Sequence, residues 1–406
     1  MNILFAYPHP DVVGGTEVTM NLWAKMLRDA GHKVFLAYGH PANPVSRSYY
    51  DDVVAAPALF DRNSKFLPTG FDDEYQKIEA FIRDKDVRVI HTHTYPRTDT
   101  LNRWCAQHSV VVNVHVPVCP NGMRYLWSDK KVCERTIGLG CFSYGYLQKQ
   151  CGYLGNGQPI QLPGFLRAMW EDASLRRTIA TAAQVVTNST WMMNRLERDG
   201  IPSNRLRLLY PFETQEETDG DNFHLRDNPP ALLFVGRMVS FKGPDHLLLA
   251  SQHLDIPHQV WFVGDGPMRK VCEAKAAELG ISDRVTFFGE LTLEEVDTLR
   301  RRSTVAVVPS LWPEPFGRVG PEAMMRRRPV VAYNVGGVNE WLQQGKTGCL
   351  VPPGDYVTLA NEIRMLLADD LLLRAKGDRA VQQCSSWTVE KHLAEIEAIY
   401  QDALQR

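Results

Sequence analysis

The chain has 406 residues, enough for two or three domains, with ordinary apolar content and a formal net charge of −2. Nothing in that balance points to a nucleic-acid binder, which usually carries a basic excess. The first apolar run, Ile3 to Tyr7, has no basic region before it and reads as a strand rather than a signal peptide, and no run reaches bilayer-spanning length, so a cytoplasmic protein is expected.

Taken in order, Ile3–Tyr7 predicts a buried strand, and a loop from Pro8 to Gly15 leads to a helix from about Thr16 to Ala30. Gly31 ends that helix and Val34–Tyr38 is the next strand. The alternation continues with a helix near Asp73–Arg83, a strand at Val87–His91, a helix near Pro96–Gln107 and a strand at Val110–His115. Residues 116–164 are a long irregular stretch for a compact domain. A helix near Phe165–Ala182, a strand at Gln184–Asn188 and a helix from about Ser189 to Asp199 follow. Buried apolar strands between amphipathic helices predict a parallel, doubly wound sheet.

Between Pro211 and Pro230 the chain turns acidic and polar, as an interdomain linker would. A second alternating unit then has strands at Ala231–Val235, Gln259–Val263, Val285–Phe288, Val305–Val308, Val330–Ala332 and Cys349–Val351. A last amphipathic helix lies near Thr388–Leu404. The expected organisation is α/β: a Rossmann-like domain over 1–212 with an insertion over 116–164, a second over 213–386, and a terminal helix over 387–406. Two such domains leave a central cleft that the carboxyl-end loops of both sheets can face.

The densest candidate site runs from Pro309 to Pro329, where a strand ends in P-S-L-W-P-E-P-F-G-R-V-G-P-E. A helix is expected to begin near Arg318 to Pro321, and the backbone N–H groups around Phe316, Gly317 and Arg318, with the helix dipole, suit an anion such as a phosphate. A carboxylate beside them, Glu314 or Glu322, can accept hydrogen bonds from sugar hydroxyls. Upstream, L-L-F-V-G-R-M-V-S-F-K-G places Gly236, Arg237 and Lys242 at a strand end, where two cations can neutralise a diphosphate leaving group. V-G-D-G-P-M, with Asp265, is a further strand-to-helix turn. In the first half, V-G-G-T-E carries Gly15 and Glu17 but is not the dinucleotide fingerprint. His115 ends one strand, where a histidine serves a packed core nearly as readily as a site, and His91 and His93 end another.

The E-x7-E pattern within E-P-F-G-x-x-x-x-E resembles the signature of retaining glycosyltransferases of family 4, which have the GT-B fold, and the resemblance extends over nearly the whole chain. It implies that Glu314 holds hydroxyls of a donor sugar, Glu322 the ribose hydroxyls, and the amides of Phe316 to Val319 the sugar and phosphate. Arg237 and Lys242 match a G-R-x-x-x-x-K-G motif whose cations contact the donor diphosphate, and Asp265 lies in a loop near the base. Gly15 matches a G-G-x-E loop whose glycines admit a phosphate or the acceptor; Glu17 closes that motif, and with His91 and His93 it is a candidate for the acceptor side. His115 matches a histidine near the transferred sugar, and the last helix is expected to pack on the first domain. The implied reaction moves a sugar from a nucleotide diphosphate, with uracil the favoured base, to a saccharide, lipid-linked or natural-product hydroxyl. Configuration is retained and the leaving phosphate takes the acceptor proton. No D-x-D motif stands at a strand end, so catalysis is expected to need no metal. A nucleotide-sugar epimerase of the same form, or a binding scaffold without turnover, are the alternatives.

The eight cysteines are read as thiols or ligands rather than a disulfide frame. Four of them, Cys119, Cys133, Cys141 and Cys151, fall in the insertion without a C-x2-C pair, and C-P-N-G at Cys119 resembles a segment of some family-4 enzymes. A structural zinc held by four thiolates and a set of buried thiols are both open. The Tyr-, Trp- and Arg-containing segment from Met123 to Trp170 could also meet a lipid-linked acceptor at a membrane surface, although a strongly basic face is missing.

Overall fold

The computed structural model describes residues 1–8, 15–40, 48–62, 67–116, 118–119, 124–126, 131–135, 138, 140–148, 161–212 and 227–406. The expected linker core, Gly14 and Cys151 lie outside them. The chain divides into two compact units, one of Met1–Met123, Arg135–Pro211 and Val389–Arg406, the other of Arg124–Glu134 and Phe212–Thr388.

The first unit is built on strands β1 (Asn2–Tyr7), β2 (Lys33–Tyr38), β3 (Asp52–Ala55), β4 (Val89–Thr92) and β5 (Val110–Val114). A short antiparallel pair, β6 (Tyr125–Leu126) and β7 (Lys131–Val132), falls next in the chain but belongs to the second unit, and the first resumes with β8 (Gln184–Thr187) and β9 (Leu206–Leu208). The seven-stranded sheet has the order β3-β2-β1-β4-β5-β8-β9, and every pairing is parallel. Ile3, Leu4, Phe5 and Ala6 are fully buried, as a strand covered by helices on both faces requires. Helices form where the apolar spacing is near 3.6: Gly15–Asp29 buries Met20, Trp23, Ala24 and Leu27. Ser189 caps the helix Thr190–Arg198 by accepting from the Met192 N–H at 3.1 Å, which satisfies one otherwise orphaned donor.

The second unit holds β10 (Ala231–Val235), β11 (Gln259–Val263), β12 (Val285–Gly289), β13 (Val305–Val308), β14 (Val330–Tyr333) and β15 (Gly348–Val351). Their order is β12-β11-β10-β13-β14-β15, again all parallel. Thr292 and Glu295 form a reciprocal capping box on the helix Leu293–Arg302, and Asp355 and Asp369 cap the two helices that follow β15.

Two doubly wound parallel sheets agree with the fold class read from the alternation of apolar runs. Differences fall on short or irregular pieces. β3 and β9 are added strands of four and three residues. The stretch 116–164 is not wholly irregular: it contains the β6–β7 pair and a π-helix, Cys141–Leu147. The helix after it begins at Leu162, three residues earlier than expected, because Pro163 fits a first turn where its missing N–H costs nothing.

Candidate active site

In both sheets the strand order reverses beside the first strand of the unit, between β1 and β4 and between β10 and β13. Loops leaving the carboxyl ends of such a pair diverge to opposite faces and open a crevice, the usual place for a ligand in an open α/β sheet. In the second unit these are the loops from Gly236 to Gly243 and from Pro309 to Arg318. They touch: the Leu311 N–H donates to the Phe241 carbonyl at 2.8 Å. Gly243 has a φ of +64°, and a Cβ there would stand 2.2 Å from the Pro309 carbonyl oxygen, so only glycine lets the loops close to this distance.

That approach unites three side chains. Lys242 Nζ lies 2.5 Å from Glu314 Oε1, and the Ser310 hydroxyl donates to the same oxygen at 2.5 Å. The Glu314 side chain is only 6% exposed. The ammonium also sits 5.4 Å from the centroid of the Trp312 ring, which packs edge-on against Phe241. A buried carboxylate costs several kcal/mol unless it is paired and hydrogen-bonded, and here it is both (roughly, by ion-transfer arguments). Arg237 stands exposed on the same loop, outside this cluster.

The backbone of the Glu314 loop is held from a neighbouring strand end. The Gly337 N–H donates to the Glu314 carbonyl at 2.8 Å, and the Trp341 indole N–H donates to the Phe316 carbonyl. Phe316 is buried and meets the Trp387 ring edge-on at 5.6 Å. Gly317 follows with a φ of +81° and leads to the helix Val319–Met324. That helix has six residues, so the dipole expected to help bind an anion is short, and Lys242 is the stronger local charge.

Glu322, on this helix, sits among guanidinium groups. It accepts from Arg300, and Arg318 approaches its other oxygen at 3.6 Å, so the Arg318 side chain folds back along its own helix. Burial alone would raise the Glu322 carboxyl, but the charges of Arg300, Arg318 and Arg326 outweigh it and hold the group below the usual carboxylate range. Asp265 is exposed, and its own turn engages both oxygens, one accepting from the Gly266 N–H at 2.6 Å and the other from Arg269 at 3.0 Å. These two partners keep its carboxyl low.

In the first unit, Gly15 opens the helix that carries Glu17. Glu17 is 8% exposed and accepts from the Tyr7 hydroxyl, at the end of β1, at 2.5 Å. His91, His93 and His115 form a stack, with ring centroids 4.3 and 5.9 Å apart, and Trp23 lies against the first two. His91 and His93 are 0% exposed and fill the interior beneath the strand ends. His91 is hydrogen-bonded through Nδ1 to the Tyr400 hydroxyl at 2.8 Å. Burial, with the neighbouring imidazoles, pushes His91 down to about 3 and His93 well below its ordinary value; burial pushes His115 down to about 4. His115 is partly exposed and is the member of the stack nearest the surface.

Cys119, Cys133 and Cys141 are partly buried. Among the described residues no three His, Cys, Asp or Glu side chains converge as a metal set, and Cys151 lies outside them. No helix of the described residues is long and apolar enough to cross a membrane.

Residues 14–211 match the family model of the glycosyl transferase 4-like domain, and residues 215–383 match that of the glycosyl transferases group 1. The chain belongs to the family-4-like glycosyltransferases of GT-B fold. Among curated relatives of this glycosyltransferase, the alpha-D-kanosaminyltransferase of Streptomyces kanamyceticus is 30% identical over 226 residues, 52% of this chain and 58% of that protein. The D-inositol 3-phosphate glycosyltransferase of Acidothermus cellulolyticus is 32% identical over 248 residues, 56% of this chain and 54% of that protein. The alignments thus span about half the length of the curated relatives. Solved structures share the fold: HepE from Anabaena in complex with UDP has a TM-score of 0.72 at 20% identity, covering 98% of this chain and 99% of its own. Sucrose-phosphate synthase from Thermosynechococcus elongatus has 0.71 at 21% identity, with 98% of each chain covered.

Two residues around the Glu314 loop escaped motif reading. Ser310 was visible only as the residue after Pro309 at a strand end, and Trp341 as a tryptophan four residues past the Gly336-Gly337 pair. A hydroxyl just beyond a buried strand, and a glycine pair after the next, are the signals that could have drawn attention to them.

Proposed function

We propose that the protein transfers a sugar from a uridine diphosphate donor to the hydroxyl of a saccharide, lipid-linked or natural-product acceptor, with retention of configuration. The observation that carries this reading is the Lys242–Glu314 pair at the switch point of the second sheet. It sets a cation able to take negative charge from a departing diphosphate beside a carboxylate able to hold sugar hydroxyls. Arg237, exposed on the Lys242 loop, adds a bidentate phosphate contact, while Gly236 and the amides of Phe316, Gly317 and Val319 line the same loops. Glu322 takes the ribose through the lone pairs its arginines leave open. In the first unit, Gly15, Glu17 and His115 serve the transferred sugar and the acceptor. The leaving phosphate accepts the acceptor proton as the new bond forms on the same face. Lys242 and Arg237 supply the positive charge, so no metal is required. UDP in complex with HepE, of the same fold, is consistent with this donor class.

The test is nucleotide release from a panel of nucleotide sugars, with and without EDTA, on the protein and on Glu314→Ala and Lys242→Met. We expect one UDP-sugar to turn over, unaffected by EDTA, and each variant to lose about 100- to 1,000-fold in rate, as for a lost charge-stabilising donor. Calorimetry with UDP runs alongside. Nucleotide binding without sugar release in the presence of acceptor candidates would indicate a scaffold, free epimerised sugar an epimerase, and absence of both binding and turnover would end the reading.

A further inference from the structure

We propose that Ser310 is a positioning residue for sugar transfer: together with Lys242 it occupies one oxygen of Glu314 and leaves the other to accept from the donor sugar. This deepens the functional reading above and rests on it. Ser310 is 2% exposed, and its hydroxyl donates to Glu314 Oε1 at 2.5 Å, the oxygen that Lys242 also reaches at 2.5 Å. Among the described residues, both side-chain hydrogen bonds to this carboxylate therefore fall on a single atom.

The geometry matters because a glutamate is loosely defined at its tip. Its last torsion is broad and two-fold, so either oxygen could turn to a substrate. An ammonium on a four-carbon stem is a movable point charge and does not by itself select one. A serine two residues past the end of β13, on a loop clamped by backbone bonds to Phe241 and Gly337, is a fixed donor. Lys242 carries three protons and can serve a phosphate and Glu314 together, whereas Ser310 gives its single proton to Glu314. With Oε1 doubly occupied, Oε2 remains to accept from one or two hydroxyls. A carboxylate held in this way favours sugars that present hydroxyl donors and loses affinity when one is replaced by hydrogen.

Ser310→Ala tests this with the UDP-sugar that the protein turns over. We expect kcat to fall about ten- to a hundredfold, with UDP affinity within about twofold of the original, and Ser310→Thr to return kcat to within about threefold. Singly deoxygenated donors supply a readout that a merely structural serine would not move: the hydroxyl whose loss slows the original protein most should matter less in Ser310→Ala. If Ser310→Ala does not fold, Ser310→Cys, a weaker donor of similar size, is read in the same way. An unchanged kcat in the variant, or an unchanged penalty for each deoxygenated donor, overturns the assignment while turnover by the original protein leaves the functional reading standing. Absence of both turnover and UDP binding in the original protein overturns the two together.

Discussion

At Glu322 three guanidinium groups surround one carboxylate whose side chain is 20% exposed. Removing the negative charge leaves Arg300, Arg318 and Arg326 facing one another, with Arg326 still bonded to the Asp297 carboxylate at 2.6 Å. Glu322→Gln should lower unfolding free energy by about 2–4 kcal/mol, somewhat less than a fully buried pair because water screens part of the charge. Urea unfolding followed by fluorescence checks it, and an unchanged midpoint would show that the arginines find other partners. Much of the chemistry at this scale could be read from residue type and spacing: Glu314 and Lys242 stand out because charged residues at buried strand ends have few other reasons to be there. Ser310 did not, since a serine is unremarkable in any loop until the fold closes the 72-residue gap between Lys242 and Glu314 and puts both side chains on one carboxylate oxygen. His91 and His93 read as core residues as readily as site residues, because a central strand of a covered sheet buries both faces, and both rings are 0% exposed.

Among the elements, the short helix Val319–Met324 is positioned by contact rather than by intrinsic stability, since an isolated helix of that length does not form in water. Gly320 in its first turn lies against the Trp341 ring, where a Cβ would meet a ring carbon at 2.0 Å. Trp341 is fully buried and cannot step aside without giving up its bond to the Phe316 carbonyl. Gly320→Ala should therefore cost about 1–3 kcal/mol from overpacking and should displace the Glu314 loop, slowing turnover more than the stability loss alone implies. Paired thermal melts and rate measurements check this; a variant with original stability and rate would mean the indole has room to move. Long elements with strong periodicity were legible in the sequence to within a few residues. β3 and β9 were not, because strands of three or four residues with charged members show no period, and their pairing depends on a neighbour far away in the chain. The π-helix Cys141–Leu147 has no sequence periodicity in ordinary use.

For the whole molecule, acid sensitivity follows from the buried imidazoles. His91 and His115 are held at about 3 and about 4, against an ordinary value of 6.5, and His93 lies lower than its ordinary value as well. The unfolded chain therefore binds more protons than the folded one below pH 6.5. The stability these groups provide is complete above that pH and is lost as pH falls toward their folded values, by up to about 1.4 kcal/mol per group per pH unit. The melting temperature should be level from pH 8 to 7 and fall steeply between 6.5 and 5, before the carboxylates titrate, and the slope should be shallower in His93→Gln. A level profile down to pH 5 would contradict the buried neutral stack. The helix Val389–Leu404 helps to seal these rings: Tyr400 bonds His91, and His392 packs on Trp23 and donates to the Tyr210 carbonyl at 2.9 Å. The first unit is thus assembled from the beginning and the far end of the described chain, with the whole second sheet between them. During synthesis that order has a cost in time. At ~5–20 residues per second, roughly ten to forty seconds pass between emergence of Pro211 and of the helix that completes its unit. Through that interval His91 and Trp23 stand without Tyr400 and His392, the side chains that later cover them.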